Sequence, residues 1–467
     1  MRRFTPLALG WAIVLGGIAL FSTIESTIEW ASAQHIVEAA PPIPGDEGEQ
    51  DVCGAHCFVL AAAEAEDEGE PTQPTGRRLL RRGRHPGSRR AAQFCQDASL
   101  LPADFLTRTA EYLPPAETAS GDAAADAERL QADIRAVQQP SNCSLGGVLM
   151  PVLKEYGMGA TLHGLVKPLL HSLKTQTALL SPAFSMYADR RRCAAADFTC
   201  YFRALSRCDR APISVPGATS TIHARHVAKV PDAARHVNAF MYTEVTRNGD
   251  RALPAAYRHR GLFWVVAQLL RYLLRPAPPL LAHIRRRQRE LRWPRDAPVL
   301  GVHVRKGDSC APGEGERTVR VCDGLDAYMP AIRRIGKAYG IRHVFLATDD
   351  GDTLRAARRH TDFTWLYLKD ASASSALRQR ARVEHLIAAG KLNGYDEGLG
   401  ALLDMELLAR CDAFVGKFTS NMDRLVFALM SGRRGGCVPP YASIDSRWCF
   451  DFGVRSGRTL GNESFKC

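Results

Sequence analysis

No Cys-x-x-Cys pair occurs in the chain, although it carries thirteen cysteines. Without paired short spacings the ligand pattern of a structural zinc site is missing. The tightest pair, Cys53 and Cys57, stands alone in a low-complexity stretch. An internal repeat is also absent, which argues against solenoids and propellers. Leu262 to Leu274, a mostly apolar candidate helix, has thirteen residues where a bilayer span needs about 20. A buried core helix is therefore expected there. A strongly acidic balance is lacking too, since the formal net charge is +12. Such a surplus can signal nucleic acid or a membrane surface, and its location decides between them. Much of it lies in Arg77, Arg78, Arg81, Arg82, Arg84, Arg89 and Arg90, a stretch broken by Gly and Pro and preceded by Glu64, Glu66, Asp67, Glu68 and Glu70. Those blocks read as a solvated tether, or as a basic docking or processing segment, and nucleic acid is not an expected partner.

What is present begins with Arg2 and Arg3 ahead of an apolar run from Leu7 to Ile24, the form of a membrane-targeting segment. Residues 1–30 are expected to be an uncleaved signal anchor and 31–120, rich in Ala, Glu, Pro, Gly and Arg, a disordered stalk. Cleavage at Ala31-Ser32-Ala33 is the alternative, giving a secreted form. The cysteines suit an oxidising lumen, with Cys310/Cys322, Cys437/Cys449 and Cys193/Cys200/Cys208 spaced for loop-closing disulfides and one cysteine left over. Asn142 and Asn462 head Asn-x-Ser sequons.

A helical pattern covers Ala123 to Gln139, and the globular part is expected from about Cys143. Residues 121–295 form an expected N-terminal, acceptor-side domain. Within it, helices are predicted at Leu262–Leu274 and Leu280–Leu291, separated by Arg275-Pro276-Ala277-Pro278-Pro279. Residues 296–467 are expected to form a Rossmann-like domain. Short apolar runs at Val299–Val304, His343–Ala347, Trp365–Leu368 and Ala413–Gly416 alternate there with helical segments, which is the pattern of parallel βα units and an α/β fold.

Each run is followed by polar residues, where an open parallel sheet collects its ligand. Arg305 and Lys306 offer two cations suited to a diphosphate, with Asp308 able to hold the guanidinium, or they form a salt-bridged strand end. Thr419, Ser420 and Asn421 precede the helical pattern Met422–Met430 and act as N-caps, with or without a bound phosphate. The pair Asp349-Asp350 could hold a divalent cation or accept hydrogen bonds from ribose, base or backbone. Asp404, in a helix predicted over Leu399–Cys411, either faces solvent or grips the N1–H and N2–H₂ edge of guanine. Glu314 and Glu316, in the Gly-rich loop after Arg305, are the nearest candidates for a general base.

These residues resemble a known family. Gly301-Val302-His303-Val304-Arg305-Lys306-Gly307-Asp308 is similar to the His-Val-Arg-Arg-Thr-Asp motif of α1,6-fucosyltransferases, shared with rhizobial nodulation fucosyltransferases and, more distantly, protein O-fucosyltransferases. The segment from His259 to Pro276 resembles the family's Trp-rich helix, Val344 to Asp350 its Thr-Asp-Asp strand end, and Leu402 to Asn421 its Asp-containing helix and Phe-Ser-Ser-Gln turn. Tyr156-Gly-Met-Gly159 with His163 resembles its Gly-rich first loop, and Cys200 to Cys208 its Phe-x-Pro-x-Ser segment. The resemblance implies a GT-B-like fold of two Rossmann-type domains and a GDP-fucose donor without metal or other cofactor. It also implies inverting transfer of fucose to a glycan or glycoprotein hydroxyl, by an enzyme anchored in the Golgi membrane as a single-pass type II protein.

Carried over residue by residue, Arg305 holds the β-phosphate and Asp404 reads guanine. His303, Asp349, Asp350 and Thr419 to Asn421 then line the donor pocket. Departures are Lys306 for the second Arg, Gly307 for Thr and Ser309 for Lys, with a longer following loop containing Cys310 and Cys322. The chain also ends too soon after the donor domain for a C-terminal SH3-like module, so an acceptor other than the core N-glycan is expected. Two other readings stay open: a transferase using a different sugar nucleotide, against which a guanine-reading Asp404 would speak, and a catalytically inactive lumenal glycan-binding protein.

Overall fold

The computed structural model describes residues 122–143, 148–153, 156–209, 212–214, 221–223, 235–238, 253–307, 310, 322–368, 381–445, 448 and 450. The expected anchor and stalk, Asp308, Glu314, Glu316, Cys449 and Asn462 lie outside the described residues. Among the described residues no helix is long and apolar enough to cross a membrane.

The first helix, α1 (Asp122–Gln138), buries Ala127, Leu130 and Ile134, one stripe at helical spacing. It is joined to the core by specific bonds: Gln131 Nε2 donates to the Gln268 carbonyl at 2.8 Å, and the Gln138 amide donates to Ser172 Oγ and accepts from the Leu179 N–H. The packed part of the chain therefore includes this helix and begins before the expected Cys143. A three-stranded parallel sheet follows, built from β1 (Val148–Val152), β2 (Ala178–Leu179) and β5 (Arg235–Asn238) in the order β2-β1-β5. Helices α2 (Met158–Gly164) and α3 (Val166–Thr175) lie between β1 and β2, and the antiparallel pair β3 (Pro212–Ser214) and β4 (Thr221–His223) precedes β5.

Helix α4 (Gly261–Leu273) is the expected core helix. Leu262 to Leu270 are buried without exception. Helix α5 (Pro278–Glu290) starts at a proline, which needs no N–H partner in a first turn. From there a five-stranded parallel sheet is laid down: β6 (Val299–Val304), β7 (His343–Thr348), β8 (Thr364–Leu366), β9 (Ala413–Gly416) and β10 (Tyr441–Ser443), in the order β10-β9-β6-β7-β8. Every residue of β6 is buried, as expected for a central parallel strand covered on both faces. The intervening helices are α6 (Leu325–Tyr339), α7 (Gly351–Ala357), α8 (Val383–Ala388), α9 (Gly394–Leu408) and α10 (Asn421–Arg433). Helix α10 is buried from Asp423 to Gly432 and packs along α4.

The order reverses at β6: β7 and β8 extend to one side, β9 and β10 to the other. That reversal opens a crevice beyond the carboxyl ends of β6 and β9.

Disulfides join Cys310 to Cys322 and Cys193 to Cys200, while Cys208 pairs with the distant Cys143. Cys437 is also disulfide-bonded. Cys411 is free and buried, and Asn142 of the first sequon is exposed.

Candidate active site

The register of β6 and β7 sets the first half of the site. Val304 pairs with Thr348, so the next residues of the two strands run side by side. Arg305 forms an ion pair with Asp349, whose other oxygen accepts the Lys306 backbone N–H at 2.9 Å. Lys306 Nζ lies 3.4 Å from Asp350. Asp350 also caps α7, accepting from the Thr353 N–H and hydroxyl at 3.0 and 2.7 Å. Burial opposes ionisation of Asp350, but the two Thr353 bonds and the Lys306 ammonium more than offset it, so its carboxyl sits below the usual range. Gly307 follows, and a Cβ there would run into the Asp349 carboxylate.

The turn between β9 and α10 supplies the second half. Ser420 is the N-cap, its hydroxyl accepting from the Asp423 N–H. Thr419 donates to Asp445, which also accepts from Ser443 at the end of β10. Asn421 accepts from Arg424, a fully buried arginine that also donates to the Phe418 carbonyl at 2.9 Å. Lys417, nearly buried, pairs with Asp323. His303, on β6, pairs with Asp423, which is fully buried on the first turn of α10.

His303, Arg305, Lys306, Asp349, Asp350, Thr419, Ser420 and Asn421 thus stand at the carboxyl ends of three adjacent strands. Asp404 is half-buried on α9 between the buried Leu403 and Met405. Gly159 and His163 fall on α2, which packs against α10. His163 is fully buried, with Phe450 edge-on to its ring. Burial and the neighbouring Arg424 push its pKa to about 3, so it is neutral. Among the described residues no group of three or more His, Cys, Asp and Glu is arranged to hold a metal ion.

Sequence reasoning missed Asp423, Arg424 and Asp445. Ser420 and Asp423 have the Ser-x-x-acid spacing of a capping box, so Asp423 looks like a helix-end residue. Its carboxylate goes elsewhere, to a histidine 120 positions earlier in the chain.

The fold is thus of the α/β class, an open parallel sheet with cations and a helix N-terminus gathered at its switch point. Residues 115–447 match the family described as alpha-(1,6)-fucosyltransferase N- and catalytic domains. The chain belongs to that family. A curated relative, the alpha-(1,6)-fucosyltransferase of Drosophila melanogaster, is 27% identical over 190 residues, a match covering 39% of this chain and 28% of that protein. The matched region is thus less than a third of that relative's length. Among solved structures, the chain is similar to NodZ alpha-1,6-fucosyltransferase soaked with GDP-fucose, at 18% identity and a TM-score of 0.35 over 60% of this chain and 92% of the other. It is also similar to POFUT1 in complex with GDP, at 12% identity and a TM-score of 0.34 over 66% of this chain and 99% of the other.

Proposed function

We propose that this protein is an inverting fucosyltransferase that moves fucose from GDP-fucose to a glycan or glycoprotein hydroxyl. The family match over residues 115–447 carries the reading, and the site chemistry is compatible with it. Arg305 and Lys306 would exchange their carboxylate partners for donor phosphates, and the first turn of α10 adds N–H groups and a positive dipole end. Asp404 would read guanine and Thr419 to Asn421 would line the donor pocket. The base that takes the acceptor proton would come from the loop containing Glu314 and Glu316.

The two parallel sheets, in 121–295 and 296–467, are proposed as the two halves of a GT-B-like fold. Metal independence is part of the proposal, since Arg305 and Lys306 can supply the positive charge that a diphosphate needs and Asp350 is further engaged as the cap of α7 by Thr353. The Arg2-Arg3 and apolar N-terminus, with the disulfides, supports a type II Golgi protein with its catalytic part in the lumen.

Calorimetric titration of the intact chain in EDTA tests this. GDP and GDP-fucose should bind and UDP should not. Arg305→Ala should weaken GDP by about 10- to 100-fold, the effect of losing hydrogen bonds to a charged group. A folded chain that ignores GDP, or binds UDP equally well, refutes the proposed donor.

A further inference from the structure

His303 and Arg305 are two residues apart at the end of β6, a spacing that places their side chains on one face of an extended chain. Nδ1 of His303 hydrogen-bonds the Asp423 carboxylate, whose second oxygen accepts the Lys417 backbone N–H. Gly416 makes room for this arrangement, since a Cβ there would meet Asp423 Oδ2 and the Phe414 ring. A capping-box acid turns back to its own helix end. Asp423 instead crosses from α10 to β6, with β9 between them.

A fully buried carboxylate needs a compensating charge, and its partners here are an imidazole and a backbone amide. With Nδ1 committed to Asp423, the remaining donor of a charged imidazole is Nε2–H.

We propose that Asp423 is a positioning residue: it holds His303 as an imidazolium whose Nε2–H is offered, beside Arg305, to the diphosphate of the donor. The inference rests on the donor-site reading given above. The acceptor oxygen bonds to the anomeric carbon as the bond from that carbon to the β-phosphate oxygen breaks, and the electron pair of the broken bond stays on phosphate. Arg305 and the imidazolium N–H stabilise that charge, and the proton remains on His303. The acceptor's proton leaves to a separate base, so charge and atoms balance.

The neighbouring charges favour this protonation. Burial opposes the imidazolium and so does Arg305, but Asp423 and then Asp349 outweigh them, and the His303 pKa lies above the ordinary histidine value. Lys417 directs its ammonium to Asp323. The buried Tyr328, also within the field of Asp423, is pushed up and stays neutral.

Histidine-selective NMR on the intact chain without nucleotide tests the pairing, with the His303 signal assigned by its loss in His303→Gln. The wild-type midpoint should lie above that of ordinary histidine, and in Asp423→Asn below it. Calorimetry should find GDP affinity declining as pH rises through the wild-type midpoint. Asp423→Asn should bind GDP about tenfold more weakly, the loss of one charge-assisted bond, while guanosine, which has no phosphate, binds as before. A wild-type midpoint at or below the ordinary value overturns the inference even if the variant fails to fold, and so does unchanged GDP affinity in a folded Asp423→Asn. Wild-type protein that binds no guanine nucleotide at any pH removes the donor-site reading and the phosphate role with it. GDP binding indifferent to the His303 titration removes the present inference alone.

Discussion

At the scale of single residues, the site is a set of charges that already have partners. Arg305, Lys306, Asp349 and Asp350 neutralise one another across the ends of β6 and β7, so a dianionic ligand would displace carboxylates instead of filling an unbalanced positive hole. Gly307 belongs to that arrangement because its missing side chain is the space used by Asp349. Gly307→Ala should therefore lower stability by about 1–3 kcal/mol through overpacking. Because the clash is with one carboxylate, adding Asp349→Ala should recover part of the loss, giving a non-additive double-mutant cycle in urea denaturation. Additive losses would show that the methyl group is resisted by something else. The tetrapeptide after β6 left two readings open; the structure shows the salt-bridged strand end, and the proposed phosphate site would use the same cations.

At the scale of elements, α10 joins the site to the core. Its first turn bears Ser420, Asn421 and Asp423, and its body is buried against α4. Loss of the cap in Ser420→Ala should cost about 1 kcal/mol, measurable as a lower denaturation midpoint. The last turn is held differently. Glu406, fully buried on α9, pairs with Arg433 of α10 and with Arg410 just after α9, and Arg433 also donates to the Leu274 carbonyl at the end of α4. Glu406→Ala leaves those arginines without their shared anion, and a loss of about 3 kcal/mol is expected in chemical denaturation, as for a broken buried pair. These elements were legible to different degrees. The helix at Leu262–Leu274 and the strand at Val299–Val304 were readable to within a residue because continuous apolar runs bounded by Pro, Gly or charge admit few alternatives. Helix α6, helix α7 and strand β10 were not singled out. Asp349-Asp350 drew attention as a ligand pair, whereas Asp350 is in addition the N-cap of α7.

At the scale of the whole molecule, pH acts through groups in separate places. The carboxyls of Asp126, Asp350 and Glu406 all lie below their usual values, because burial is outweighed by Arg260 with Arg129, by Thr353 with Lys306, and by Arg433 with Arg410, respectively. As pH falls, the unfolded chain takes up these protons first, so their stabilisation, complete above the ordinary carboxylate pKa, is lost as pH drops through the lower folded values. His303 has the opposite sign. Its contribution is complete below the ordinary histidine pKa and is lost as pH rises through the raised folded value. Urea midpoints measured across pH should accordingly fall on the acid side, with Glu406→Gln flattening part of that limb. On the other side, Asp423→Asn should remove the decline linked to His303. An acid limb unchanged in Glu406→Gln would mean that its carboxyl has the same proton affinity folded and unfolded.

The sequence by itself determined the alternation of strands and helices after Pro298, the cations at the end of the first of those strands, and the cap residues before α10. Each is a local matter of apolar period, backbone propensity and side-chain chemistry, so neighbours along the chain suffice to read it. Only the tertiary structure decided the strand order, which turns at β6 and brings residues 303–307, 348–350 and 417–423 to one edge. It alone paired Cys208 with Cys143 and His303 with Asp423. Those pairings join residues 65 and 120 positions apart. They depend on the order in which parallel strands assemble, and no local periodicity records that order.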